Sequence, residues 1–156
     1  MNDSLPMDER IPYLRWRTHY ALGVEKIDEQ HRSIVNLINR LHETLQSTGG
    51  QAQISSQLDE LATELKKHFR TEEKLMEESG YPQRQSHVAD HRAIARRLQN
   101  FRKEFSEKTK DLTEAFLGEI RDWVRDHMVL RDRSLGTYLA SRPKEWNPTR
   151  PDTQRS

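Results

Sequence analysis

No cysteine occurs among the 156 residues. Disulfides, a thiolate zinc site and a cysteine nucleophile are excluded with it, and the composition suits a reducing cytoplasm. Long apolar runs are also missing, since nothing approaches the roughly 18 consecutive apolar residues that span a bilayer. The opening MNDSLPMDER is acidic and polar, unlike a secretory leader, which starts basic and turns apolar. Neither sign of charge dominates: 26 Lys and Arg stand against 25 Asp and Glu, for a net +1. Because the charges are interleaved, no basic stripe for nucleic acid emerges. Core-forming residues are scarce as well. Leu, Ile, Val and Phe number 32 of 156, about 21%, which is close to the composition at which highly charged chains stay disordered. The small net charge removes that self-repulsion. The fold is therefore thin and helical, or something besides apolar area helps to hold it.

Proline and glycine mark the breaks. Pro6 and Pro12 fall in an N-terminal arm, Gly49-Gly50 and Gly80-Tyr81-Pro82 follow long helical patterns, and Pro143, Pro148 and Pro151 fill a tail expected to be disordered. Between them the spacing alternates fours and threes. The inward stripes read Ile27, His31, Ile34, Ile38, Leu41, Leu45, then Ile54, Leu58, Leu61, Leu65, His68, Glu72, Leu75. They continue as His87, His91, Ile94, Leu98, Phe101, Phe105, and finally Phe116, Ile120, Trp123, His127, Leu130. Such spacing keeps side chains on one helical face and suits near-parallel packing. Asp111-Leu112-Thr113-Glu114 reads as a capping box opening the fourth helix. The expectation is an all-α, up-down-up-down antiparallel four-helix bundle over 16–139, with an arm at 1–15 and a flexible tail at 140–156.

Polar residues occupy part of every stripe: His31, His68, Glu72, His87, His91 and His127. A single inward histidine is usually a satisfied hydrogen bonder. Six polar groups together are different, because each costs about 1–3 kcal/mol when buried and unpaired, against a total stability of about 5–15 kcal/mol. Their heights agree. With turns centred near residues 49.5, 81 and 108, His31 and His68 stand equally far from the first turn. Glu72 and His91 flank the second almost evenly, and His127 mirrors the midpoint of His87 and His91 across the third. All four helices thus deliver their polar residues to one layer. His68-x-x-x-Glu72 and His87-x-x-x-His91 each place two donors one turn apart on one face. Imidazole with carboxylate suits iron, zinc, manganese or copper. The set exceeds what one ion needs, so two ions bridged by carboxylate are the economical solution.

Rival sites fail on the same residues. A zinc-protease helix needs His-Glu-x-x-His, but His87-Val88-Ala89-Asp90-His91 carries Val where the catalytic Glu belongs. Ferritin-like di-iron sites need Glu-x-x-His on two helices, and the nearest approach is Asp28-Glu29-Gln30-His31. The layer is rich in imidazole and poor in carboxylate, which favours reversible binding over oxygenation. Met76 reads as core, and His19 and His42 as surface or loop residues.

These motifs resemble the hemerythrin family, specifically its single-domain bacterial members. Trp16, Leu22-Gly23-Val24 and Ile27-Asp28-Glu29-Gln30-His31 are similar to the family's first motif, and His68-Phe69-Arg70-Thr71-Glu72-Glu73-Lys74-Leu75-Met76 to its second. His87-x-x-x-His91 is similar to the third, and His127-Met128-Val129-Leu130-Arg131-Asp132 to the fourth. The resemblance implies two iron ions (Fe2+/Fe3+) with a bridging oxo or hydroxo group. Glu72 and Asp132 would bridge them, His87, His91 and His127 would complete one, and His31 and His68 would hold the other. Dioxygen would be the ligand at the position left open, in binding and release rather than enzymatic turnover. Pocket-lining residues are expected at Ile34, Phe69, Trp123 and Leu130. Asp132 stands about 140° off the His127 direction on an ideal helix, so it either reaches in from the flank or sits on a π-bulge.

The expected role is oxygen storage, transport or delivery in the cytoplasm by a monomer. The rival readings are a sensor of O2, NO or redox state acting through a separate partner, a peroxidase-like or NO-reducing enzyme, and iron storage. The tail, with Trp146, is a candidate docking segment for an oxygen-consuming enzyme.

Overall fold

A computed structural model describes residues 12–47, 50–107 and 114–142. The arrangement is the expected antiparallel four-helix bundle: α1 Glu25–Gln46, α2 Gln51–Ser79, α3 Arg84–Ser106, and a fourth rod made of three pieces. That rod runs as α4 Glu114–Asp126, a π-helical segment His127–Asp132 and α5 Arg133–Ala140. A 3-10 turn, Thr18–Tyr20, precedes the bundle. No helix among the described residues is long and apolar enough to cross a membrane. Asp111, Leu112 and Thr113 of the expected capping box and the tail from 143 onward lie outside the described residues.

The stripes bury as their spacing requires. Ile27, Ile38, Leu41, Leu58, Leu61, Phe101 and Ile120 are all at 1% exposure or less. The buried side chains fall into two apolar clusters with the polar layer between them. The larger takes Ile34 to Leu41 of α1, Ile54 to Phe69 of α2, Ile94 to Phe105 of α3 and Phe116 to Met128 of the fourth rod. The smaller takes Val24, Ile27, Leu75, Met76, Tyr81, Leu135 and Leu139. Met76, fully buried there, belongs to the core as expected.

The connections explain why the helices start and stop where they do. Gly80 ends α2 in the left-handed region (φ 68°), and the Tyr81 amide reaches back to the Met76 carbonyl at 3.0 Å, the glycine-closed helix end that satisfies otherwise orphaned carbonyls. Ahead of α1, Asp28 folds back and accepts hydrogen bonds from the amides of Leu22 (2.7 Å) and Gly23 (3.1 Å). Gly23 takes φ +85°, which side-chain-bearing residues rarely adopt.

The segment just ahead of residue 16 packs on the bundle. Leu14 is buried in the larger cluster, and Asn39 clasps its backbone from both sides, accepting from the amide at 2.6 Å and donating to the carbonyl at 2.9 Å. Tyr13 stacks on His42 at 3.9 Å. His42 is therefore half-buried beneath the arm, whereas His19 is exposed in the 3-10 turn, its carbonyl accepting a hydrogen bond from the Arg133 side chain.

Candidate metal centre

The four rods bring together all seven residues expected at the site. His31 comes from α1, His68 and Glu72 from adjacent turns of α2, His87 and His91 from adjacent turns of α3, and His127 and Asp132 from the two ends of the π-helical segment. None exceeds 4% exposure. Their donor atoms form two overlapping groups, each with all atoms within 4.8 Å of one another: Glu72, His87, His91, His127 and Asp132; and His31, His68, Glu72 and Asp132. Both carboxylates belong to both groups, while the imidazoles divide three and two.

The π-helical segment settles how Asp132 enters. In i→i+5 geometry the residue five positions on returns beneath its starting point instead of swinging to the flank. The Asp132 Oδ1 atom lies 2.9 Å from His127 Nε2, and its Oδ2 lies 2.7 Å from His31 Nε2.

The same change of phase corrects the expectation for Leu130. An uninterrupted α-helix would turn it inward beside His127. The wider turn carries it outward instead, and it is 65% exposed. Leu130 lines no pocket. Of the other three expected wall residues, Ile34 and Phe69 are buried and Trp123 is partly buried. Phe69 stacks on the His91 ring at 4.0 Å, and Trp123 on the His127 ring at 4.5 Å. Phe69 and Trp123 meet edge to face at 5.9 Å, and Ile34 is 2% exposed in the larger cluster.

Five imidazoles present Nε2 to the centre. His31 and His68 face each other nitrogen to nitrogen at 3.2 Å, as do His91 and His127. Two neutral imidazoles can place at most one proton in such a contact, but two bare nitrogens at this spacing suit a shared cation. Donors about 2.1 Å from an ion stand roughly 3 Å apart around it. Glu72 contributes Oε1 at 3.0 Å from His91 and 3.2 Å from His68, while its buried Oε2 has no hydrogen-bond partner. An unpartnered carboxylate oxygen in a closed interior is costly, and a second metal contact would satisfy it. The donor set therefore fits a binuclear cation site, with iron among the metals its chemistry suits.

Without metal, the histidines and carboxylates of the layer hold one another in their charged forms against burial. Burial alone would strip the proton from His68, but the carboxylates of Glu72 and Asp132 outweigh it and push its pKa up to about 9. His127 and His87 are raised for the same reasons, burial opposing and the two carboxylates prevailing. In turn, burial works against ionisation of Glu72 and Asp132, yet the surrounding histidines hold both well below the usual carboxylate range.

Three of the outward-facing nitrogens are occupied by residues that the motifs contained but to which no role was assigned. His91 Nδ1 pairs with Glu73 Oε2 at 3.0 Å, His127 Nδ1 with Asp90 Oδ2 at 2.7 Å, and His68 Nδ1 with Gln30 Oε1 at 3.1 Å. Each sits beside a ligand candidate in sequence, and that adjacency was the available signal. Such partners fix the tautomer and orient the ring.

Residues 22–139 match the family model described as the hemerythrin HHE cation binding domain. The chain is 32% identical over 153 residues to a bacteriohemerythrin of Pseudomonas aeruginosa (strain LESB58), a match spanning 87% of this chain and 99% of the relative. Against a bacteriohemerythrin of Methylococcus capsulatus (strain Bath) the identity is 30% over 122 residues, spanning 78% and 92%. A solved wild-type hemerythrin is similar in structure with a TM-score of 0.78 at 27% identity, covering 83% of this chain and 99% of that one. A mutant hemerythrin gives 0.79 at 26% identity, covering 84% and 100%.

Proposed function

The chain belongs to the hemerythrin family, and on that premise we propose that it binds dioxygen reversibly at a di-iron centre and serves to store, carry or deliver it. His87, His91 and His127 would hold one iron, His31 and His68 the other, with Glu72 and Asp132 shared. The observation that carries this reading is the uneven division of imidazoles around two common carboxylates. One metal would thereby have one protein donor fewer than the other. Ferrous iron held there would supply the redox chemistry that reversible dioxygen binding needs.

The protein's own residues determine whether that binding stays reversible. Phe69 and Trp123, stacked over His91 and His127, cover the layer on the side of the larger apolar cluster. Met128 and Val124, both buried, extend that wall. Dry walls keep out the water that would protonate bound dioxygen and leave the centre oxidised. Three of the five outer imidazole nitrogens are also held by the protein itself. The outer nitrogens of His68, His91 and His127 are already engaged.

The test is to load the chain with ferrous iron anaerobically, count metal per chain, and cycle O2 and argon while recording visible absorption. Two irons per chain and a charge-transfer band that appears with O2 and vanishes under argon are expected. One tightly held zinc and no colour would overturn the reading. Colour lost irreversibly in the first cycle would transfer it to sensing or catalysis.

A further inference from the structure

Resting on the di-iron reading, we infer that Glu73 and Asp90 are positioning residues that make the two metal sites unequal in lability. They tighten the site of His91 and His127, leaving the metal at His31 and His68 the exchangeable one.

The asymmetry lies in what the outward nitrogens meet. On the three-histidine side, His91 Nδ1 faces the Glu73 carboxylate at 3.0 Å and His127 Nδ1 faces the Asp90 carboxylate at 2.7 Å. On the two-histidine side the acceptor is neutral. His68 Nδ1 donates to the Gln30 carbonyl oxygen at 3.1 Å. That orientation is held by a relay: the Thr71 hydroxyl donates to the Lys67 carbonyl at 3.1 Å, so its oxygen is left to accept from the Gln30 amide nitrogen at 2.9 Å. Gln30 must then turn its oxygen, not its nitrogen, toward His68. On the same side, His31 Nδ1 is buried with no hydrogen-bond partner.

Two negative acceptors thus back one site and none backs the other. A carboxylate that accepts the Nδ1 proton draws it away from the ring and makes Nε2 a stronger donor to metal, and such outer partners are worth 10–100-fold in affinity. A neutral amide fixes the ring equally well but donates less. At His31 no acceptor fixes the outer nitrogen at all. Ligand number already favours the three-histidine site, so the experiment must change outer charge alone.

The variants Glu73→Gln and Asp90→Asn, combined, do so: each side-chain oxygen can still accept the Nδ1 proton, but the charge is gone. Gln30→Glu is the reciprocal change on the other side. The iron-loaded chain is mixed anaerobically with an excess of a ferrous chelator, and release is followed by the absorbance of the chelate. The unaltered protein is expected to release its iron in two phases, one iron each. The double variant should accelerate the slow phase on the order of 10–100-fold and leave the fast phase unmoved, while Gln30→Glu should slow the fast phase. A single phase in the unaltered protein, or an unchanged slow phase in the double variant, would overturn the inference. Acceleration of both phases together would also overturn it, since that marks general loosening. Should the double variant fail to take up iron, Gln30→Glu alone decides: an unslowed fast phase rejects the proposal. A protein that never holds two irons per chain defeats the di-iron reading itself, a result distinct from all of these.

Discussion

The two sides of the polar layer are built on different principles. On one side, twenty buried apolar residues interdigitate, eighteen from the four rods and two, Leu14 and Tyr20, from the segment ahead of them. Phe101 lies at 1% exposure, stacked on Phe116 at 3.7 Å with the rings 9° from parallel. On the other side, seven buried apolar residues close the bundle end, and contact there depends on fit. A Cβ added to Gly136 would come within 3.1 Å of Leu22. Apolar area alone sustains the first side. The second is smaller, and the layer of imidazoles and carboxylates lies between the two. The scarcity of apolar residues in the sequence is therefore local: part of each stripe is given to donors, and a small cluster stands beyond them.

Metal removal should break this contrast most sharply. Two ions would cross-link all four rods at the layer, and metal affinity realised only in the folded state is folding free energy. Stripping the loaded protein with a chelator is expected to lower Tm by more than about 10 °C. The loss should be uneven. Amide exchange should rise throughout α5 and at the start of α1, while α2 around Leu58 to Leu65 and α3 around Leu98 to Phe105 change little. An unchanged Tm, or a uniform rise in exchange, would mean that the two sides are not differently held.

The reciprocal perturbation acts on the apolar side. Phe101→Ala should cost about 3–5 kcal/mol, the usual penalty for emptying a buried aromatic site, as read by urea unfolding. It should do so in loaded and stripped protein alike and leave metal stoichiometry at its original value. A variant that lost metal in proportion to stability would show the two halves to be one cooperative unit.

A gentler test is pH, applied to the stripped protein. His68 titrates near 9 in the fold and near 6.5 when unfolded. Its favourable contribution is complete below about pH 6.5 and disappears as pH rises through about 9, at up to about 1.4 kcal/mol per pH unit for one proton. The depressed carboxylates of Glu72 and Asp132 act oppositely, contributing above about pH 4 and losing that contribution on acidification. Stripped protein should thus lose stability from pH 6.5 to 9. Metal competes with those same protons, so the gap in Tm between loaded and stripped forms should widen over this interval. A gap that narrows would contradict the electrostatics of the layer.

The contrast between the two sides was half visible in the sequence. The alternating spacing carried the helices and their inward faces, because a 3.6-residue period leaves few other ways to bury Ile34, Ile38 and Leu41 or Ile94, Leu98 and Phe101. Equal offsets from the turns carried the histidine layer, because antiparallel rods convert chain distance into height. Contacts that depend on which atom meets which were not legible. Asn39 clasping Leu14, and Gln30, Glu73 and Asp90 behind the imidazoles, are polar residues beside polar residues. Periodicity does not separate them from surface positions. The π-helical segment was legible as one of two options for Asp132, but its effect on the residues between was not. One widened turn reorients every side chain from His127 to Asp132, so the inward return of Asp132 and the outward turn of Leu130 are a single event.

That coupling yields the smallest expected effect and a discriminating one. Leu130→Gln should change stability by no more than about 0.5 kcal/mol, as for an exposed position away from any cap or pair. It should also leave the lifetime of the O2-dependent colour unaltered. If the helix instead kept its α-phase through this stretch, Leu130 would fill the interior beside His127. Burying an amide there would cost at least about 1–3 kcal/mol, and a polar group beside the ligands would hasten loss of colour. A large effect at Leu130 would therefore argue against the inward placement of Asp132, and with it against the second carboxylate that the two metal groups share.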